Sequence, residues 1–176
     1  AGTIYFDYNK NSLGTSNSAS VFLFGDIGQT ANVSNLAGFN QTVTFGTDGF
    51  FNLDISTAYM QAGVGIQNTG FKVQSSDAIA GYFVNRSPFS TDMTYLFDEG
   101  SLGTDYVVAS AATNAGEGSQ IAVHATVDNT MVTIDPKGGG AFNVSLNAGE
   151  TYTYTGGATD LSGSSISASQ NVAVFS

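Results

Sequence analysis

The sequence predicts an all-β protein: an antiparallel β-sandwich made of two pseudo-symmetric, internally duplicated halves. Composition is the first reason. The 176 residues include 22 Gly, 20 Ser, 19 Thr and 14 Asn, and only 10% are charged. Strong helix formers are therefore scarce, while residues that suit turns and strands dominate. Patterning is the second. In Met131-Val132-Thr133-Ile134 and Ala141-Phe142-Asn143-Val144-Ser145-Leu146, apolar residues recur at every second position, which lines one face of a strand. Duplication is the third. Residues 73–82 align without gaps on 166–175 at an offset of 93, with Gly70 on Gly163. At an offset of 101, Val43, Phe45, Phe51 and Leu53 fall on Val144, Leu146, Tyr152 and Tyr154.

Taken in order, strands are expected over residues 3–8, 19–25, 30–34, 41–45, 50–55, 70–74 and 79–85. A second set is expected over 93–97, 106–110, 120–127, 131–135, 141–146, 151–155, 164–168 and 172–175. Thr47-Asp48-Gly49, Val127-Asp128-Asn129 and Ala148-Gly149-Glu150 supply the Gly, Asn and Asp that tolerate positive φ in hairpin turns. Turn signals every ~8–12 residues point to a sandwich or barrel rather than βαβ units. Residues 56–62 and 97–102 alone suit a helical turn. The copies are expected over 19–84 and 119–176, joined by a connector over 85–118. All of 1–176 is expected to form one domain, its copies packed face to face around one core.

Charge and cysteine content exclude several classes. Lys10, Lys72, Arg86 and Lys137 stand against 14 acidic residues, giving a net charge of −10 and a pI near 4.1. Such a field repels phosphate rows and anionic membranes, so no nucleic acid is expected as a partner. No stretch approaches the ~20 apolar residues of a membrane span, so no membrane insertion is expected. Ala1-Gly2-Thr3-Ile4 carries no signal-peptide pattern, so any secretion signal is expected to be removed or to lie outside the sequence. Zero Cys excludes a disulfide framework, thiolate zinc sites and cysteine nucleophiles. Together with the acidity and the Ser, Thr and Asn content, this resembles secreted bacterial surface proteins.

Several motifs carry a family resemblance. Val73-Gln74-Ser75-Ser76-Asp77-Ala78-Ile79-Ala80-Gly81-Tyr82-Phe83-Val84-Asn85 resembles the V-x-S-D-x-P-V-x-V-x-x-x-N stretch of the IgGFc-binding protein N-terminal domain family. Ser87-Pro88-Phe89-Ser90-Thr91-Asp92 is similar to its S-x-P-[FY]-[ST]-x-D, and Leu102-Gly103-Thr104-Asp105-Tyr106 to its L-G-T-E-Y. Asp128-Asn129-Thr130-Met131-Val132-Thr133-Ile134 is similar to D-N-T-x-V-T-I. Leu146-Asn147-Ala148-Gly149-Glu150-Thr151-Tyr152, Asp160-Leu161-Ser162-Gly163-Ser164 and Asn171-Val172-Ala173-Val174-Phe175-Ser176 close the series. They resemble L-x-x-G-E-x-Y, D-L-[ST]-G-[ST] and P-V-A-V-F-S. Ala78 and Asn171 stand where the family commonly has Pro, and residues 10–17 read as a longer first loop. The resemblance implies an extracellular binding module, found in bacterial members within large surface or adhesin-type proteins. It implies no particular set of binding residues.

Candidate chemistry is sparse. His124 is the single His, in Ile121-Ala122-Val123-His124-Ala125-Thr126. No Gly-x-Ser-x-Gly elbow accompanies it; Gly116-Glu117-Gly118-Ser119 and Gly100-Ser101-Leu102-Gly103 fail the spacing. A plain strand histidine, no catalytic residue and no enzyme are therefore expected. Asp98 and Glu99, with Asp92 and Asp105, make the connector the most acidic segment. If a metal binds, Ca²⁺ is the expected ion, with Asp98, Glu99 or Asp105 as ligands, because hard oxygen donors abound and soft ones are absent. A solvated acidic loop is the plain alternative. Asp7-Tyr8-Asn9-Lys10-Asn11 mimics the start of an EF-hand loop, but Ser12 and Ser18 replace its turn Gly and bidentate Glu. Arg86 is expected to brace a turn by pairing with Asp92.

The aromatics are core by default. Phe50-Phe51 and Tyr82-Phe83, however, must place one ring on each sheet face, so one ring of each pair is free to meet solvent or a neighbour. The expected function is a non-enzymatic binding or adhesion module that presents its sandwich surface to a protein or glycan outside the cell. The alternative is a subunit of an extracellular fibre built by strand addition, with residues 3–8 as the inserting strand.

Overall fold

Alternation along the chain becomes antiparallel pairing throughout. The computed structural model describes residues 2–10, 17–61, 63–88, 90–110 and 118–176, and 57% of the described residues are strand against 4% helix. The first strands are β1 (Gly2–Phe6), β2 (Ser18–Phe24), β3 (Thr30–Asn35), β4 (Asn40–Thr44) and β5 (Phe50–Ile55). Then come β6 (Gly65–Gln67), β7 (Phe71–Ser75), β8 (Ala80–Ser87), β9 (Ser90–Leu96) and β10 (Gly103–Val107). The last are β11 (Gln120–Ala125), β12 (Thr130–Asp135), β13 (Phe142–Leu146), β14 (Thr151–Thr155) and β15 (Ser165–Phe175). Short 3-10 turns occupy Thr57–Tyr59 and Glu99–Ser101, inside the two segments expected to hold helical turns. Among the described residues no helix is long and apolar enough to cross a membrane.

The first half is a sandwich of sheet β1-β7-β3-β4 against sheet β5-β2-β8-β9. Ile4 and Phe6 of β1, Val33 of β3 and Val73 of β7 meet Val21 and Leu23 of β2 and Phe83 of β8 between them. The second half follows the order β13-β12-β15-β11-β14-β6, with β10 also on β15. Its first stretch, Ser165 to Ala168, pairs β12, and its last, Val172 to Phe175, pairs β11. One long strand thus does what β7 and β8 do separately, in place of the two strands expected over 164–168 and 172–175.

The duplication is therefore structural. Val73 and Ile166 are both buried, Val172 is buried, and the half-buried Ile79 packs on its own core. β10 lies beside β15 as β1 lies beside β7, so the second copy begins inside the segment read as a connector. Each copy encloses its own cluster of buried apolar residues, because each supplies two inward faces of its own.

Among the described residues, three of the contacts that stitch the copies together stand out. β6 extends the second copy's sheet through Thr151↔Gln67 and Tyr152↔Ile66. Lys10 and Gln120 exchange hydrogen bonds at 3.1 and 3.2 Å between backbone and side-chain amide. The third is the polar cluster around Asp7 described below. Three-residue β6 escaped the sequence reading because Gly65-Ile66-Gln67 is too short to show alternation.

Turn chemistry follows the expected residues. Asn129 has φ of 58°, and Gly49, at φ 68°, has no room for a Cβ, which would stand 2.7 Å from the Gly25 carbonyl oxygen. β1 lies at a sheet edge but is fully engaged with β7, and Ile4 and Phe6 are wholly buried. Inserting residues 3–8 into a neighbour would withdraw both from their core, at about 1.5–3 kcal/mol per side chain.

Candidate functional site

The site is built by strand alternation on β2. Val21 and Leu23 point into the core, so Phe22 and Phe24 point away from it. Register then sets Phe22 opposite Tyr82 of β8, Tyr82 opposite Tyr95 of β9, and Phe24 opposite Phe50 of β5. The rings make a continuous band. Phe22 stacks on Phe50 at 5.8 Å between centroids, and Phe24 meets Phe50 at 5.3 Å and Tyr82 at 6.2 Å. Tyr82 meets Tyr95 at 5.3 Å, and Tyr95 meets Phe97 at 5.2 Å. Phe24 is 40% exposed, Tyr95 44% and Phe97 61%, with Met93 beside them at 65%. Contiguous apolar surface of this kind marks interaction sites, and aromatic residues, Met and Arg are the types enriched there.

Arg86 closes one end. Its guanidinium lies 5.8 Å from the centre of the Phe22 ring and donates to Ser20 Oγ at 3.3 Å. Ser20 Oγ in turn donates to Asp54 Oδ1 at 2.8 Å. The expected Arg86–Asp92 brace is not formed. Register sets Arg86 opposite Thr91 and Asn85 opposite Asp92, which puts the two side chains on opposite faces.

His124 sits in a different setting from the plain strand position expected of it. Its side chain and that of Asp7 are wholly buried, with Nδ1 3.3 Å from Asp7 Oδ1. That oxygen also accepts from Thr151 Oγ1 at 3.0 Å and Gln61 Nε2 at 3.4 Å, and Thr153 Oγ1 donates to Gln61 Oε1 at 3.1 Å. The Tyr5 ring covers the imidazole at 4.9 Å. Gly70 is required beside this cluster, since a Cβ there would collide with Thr151 Oγ1, Asp7 Oδ1 and His124 Nδ1. Among the described residues His124 Nε2 has no hydrogen-bond partner. Asp7 and His124 are 117 residues apart, and no local motif links them. An adjoining cleft of about 280 Å³ is lined by Tyr5, Lys72 and Gln74 from one copy and His124, Thr126 and Gly149 from the other.

The carboxylates expected to hold Ca²⁺ are each engaged locally. Asp98 caps the 3-10 turn, its Oδ1 accepting from the Gly100 N–H at 2.9 Å. Glu99 Oε1 accepts from the Tyr5 hydroxyl at 2.7 Å. Burial first, and then this carboxylate, push the Tyr5 phenol well above its ordinary range. Asp105 Oδ2 accepts from Thr104 Oγ1 at 2.7 Å, and this bond and one from Ser167 hold its carboxyl below the usual value. Among the described residues no three of His, Asp and Glu are gathered where they would hold a metal ion. Asn11 and Ser12 of the EF-hand-like start, and Gly116 and Glu117 of the elbow comparison, lie outside the described residues.

Residues 92–176 match the family model described as IgGFc binding protein. The match covers β10 to β15 and reaches back to Met93, Tyr95 and Phe97 at one end of the aromatic band. No curated protein and no solved structure matches the chain.

Proposed function

We propose that the chain is a non-enzymatic binding module of the IgGFc-binding type, working outside the cell, and that it meets a protein partner through the aromatic band on β5-β2-β8-β9. The band itself carries this reading. Phe22, Phe24, Phe50, Tyr82, Tyr95 and Phe97 form one run of touching rings, with Arg86 at its end, on a face that the chain leaves partly exposed. Such rings offer large contact area for little lost side-chain freedom, and truncating a central one typically costs at least about 2 kcal/mol of binding. The family match of the second half supports an extracellular protein partner. Burial of His124 against Asp7, closed off from solvent, supports the non-enzymatic reading.

The test is surface-plasmon binding to a panel of extracellular proteins that includes immunoglobulin Fc. Phe24→Ala and Tyr95→Ala should each weaken a bound member about 30-fold, while Ile66→Ala, an exposed residue of β6, leaves it unchanged. A panel without any binder, or a binder held equally well by both aromatic variants, overturns the reading.

A further inference from the structure

We propose that the chain binds a second copy of itself head to tail, the outer face of β10-β15-β12 in one molecule covering the aromatic band of the next. This names the partner of the aromatic band and so rests on its reading as a binding face. The joint inside the molecule is the template. There the outer face of β1-β7-β3, with Tyr5, Lys72 and Ser34, lies against the end of β11 and the turn at Ala148 and Gly149.

Register puts the two copies in one-to-one correspondence. Phe24 stands opposite Phe50 and Ala80; His124 stands opposite Thr151 and Ala173. On the other surface, Tyr5 stands opposite Lys72 as Val107 stands opposite Ser165. Two residues further on, Asp7 corresponds to Ala109. By the same registers and the 101-residue offset, Leu36 corresponds to Lys137 and Gly149 to Asp48.

Each contact of the internal joint then has an image between molecules. Tyr5 on His124, ring to ring at 4.9 Å, becomes Val107 on Phe24. Val107 is 76% exposed, which an apolar side chain awaiting such a cover explains. Asp7 bonded to Thr151 and facing His124 becomes Ala109 facing Phe50 and Phe24. The acid, the imidazole and the hydroxyl of the internal joint are thus replaced together, on both sides, by apolar groups. Leu36 against Gly149 becomes Lys137 against Asp48, an opposite-charge pair. Lys137 is more than half exposed and reaches Asp160 only at 4.0 Å, so its ammonium is free to turn outward. Two different surfaces are used, so a pair still has one of each open, and association continues past two copies, to an open chain or a larger ring, rather than stopping at a closed dimer. A charge of −10 on each molecule opposes this at low ionic strength; salt screens that repulsion beyond a Debye length of about 10 Å at 0.1 M.

Sedimentation velocity on the 176-residue chain, across concentration and added NaCl, tests the proposal. The mean mass should rise with protein and with salt, past two copies. Val107→Asp and Phe24→Asp should each weaken association at least about tenfold while lowering the melting temperature by no more than about 5 °C. Lys137→Glu should weaken it, and Lys137→Glu combined with Asp48→Lys should restore it. A chain that stays monomeric, a mass that saturates at two copies, or association indifferent to these variants overturns the proposal. If Phe24→Ala and Tyr95→Ala still abolish binding of another protein by a monomeric chain, head-to-tail pairing fails and the binding face stands.

Discussion

The aromatic band and the Asp7–His124 cluster occupy the same ladder positions of the two copies, yet one is half-open and apolar while the other is sealed and polar. His124 sits beside β14 and β15 as Phe24 sits beside β5 and β8. The difference follows from what covers each face. Asp7 reaches His124 from the same chain, and Thr151 and Gln61 donate to the oxygen that faces it. A buried pair is tolerable when its remaining bonds are supplied at fixed geometry. Among the described residues nothing covers the first copy's face in the same way, and it carries rings that gain from any cover that excludes water.

The comparison breaks most visibly at Asp7. Removing one partner of a buried pair typically costs about 3–5 kcal/mol, so Asp7→Ala should lower the urea midpoint by that equivalent at unchanged slope. Adding His124→Phe writes the open copy's residues into the sealed joint and should recover part of the loss. A double variant less stable than Asp7→Ala alone would show that the two positions are not interchangeable settings of one ladder site.

Smaller effects are expected on the open face. Phe24→Ala and Tyr95→Ala remove partly exposed rings, so each should cost no more than about 1 kcal/mol in the same unfolding measurement. A loss of 3 kcal/mol or more, on the scale of a core truncation, would make the band part of the core rather than a binding face.

The smallest effects lie at the extremes of pH. Burial raises the phenols of Tyr5, Tyr8 and Tyr152. A raised folded-state value means stability that is intact below the ordinary tyrosine range and is lost as pH climbs above it. An ultraviolet titration of the eight tyrosines should therefore show part of the ionisation arriving only with unfolding. Asp105 and Asp160 are held low by hydroxyl and backbone donors. Their contribution is intact above the ordinary carboxylate range and fades as pH falls through the lowered values. Because Asp105 is exposed and Asp160 only partly buried, Asp105→Asn and Asp160→Asn should barely move the acid midpoint; a large shift would mean that the second copy depends on its surface carboxylates.

Strand class, most strand positions, the turns at Asn129 and Gly49 and the duplicated register were legible along the chain, because alternation and positive-φ residues act over a few neighbours. The inward pairing of Val73 with Ile166 was legible for the same reason, since a two-residue period fixes which face a side chain takes. Phe50 and Tyr82 were readable as rings with a choice of face. Only the fold decided that this choice gathers them with Phe22, Phe24 and Tyr95, because strand order β5-β2-β8-β9 joins segments far apart in sequence. Asp7 and His124 were each visible, one as the start of a cation loop and the other as an ordinary strand residue. Their contact arises only when the end of β1 meets β11 across the joint. A periodic pattern reports which side of a strand is wet, whereas the partner that dries it is set by packing between distant segments, and that is where this protein's polar cluster and its open face part company.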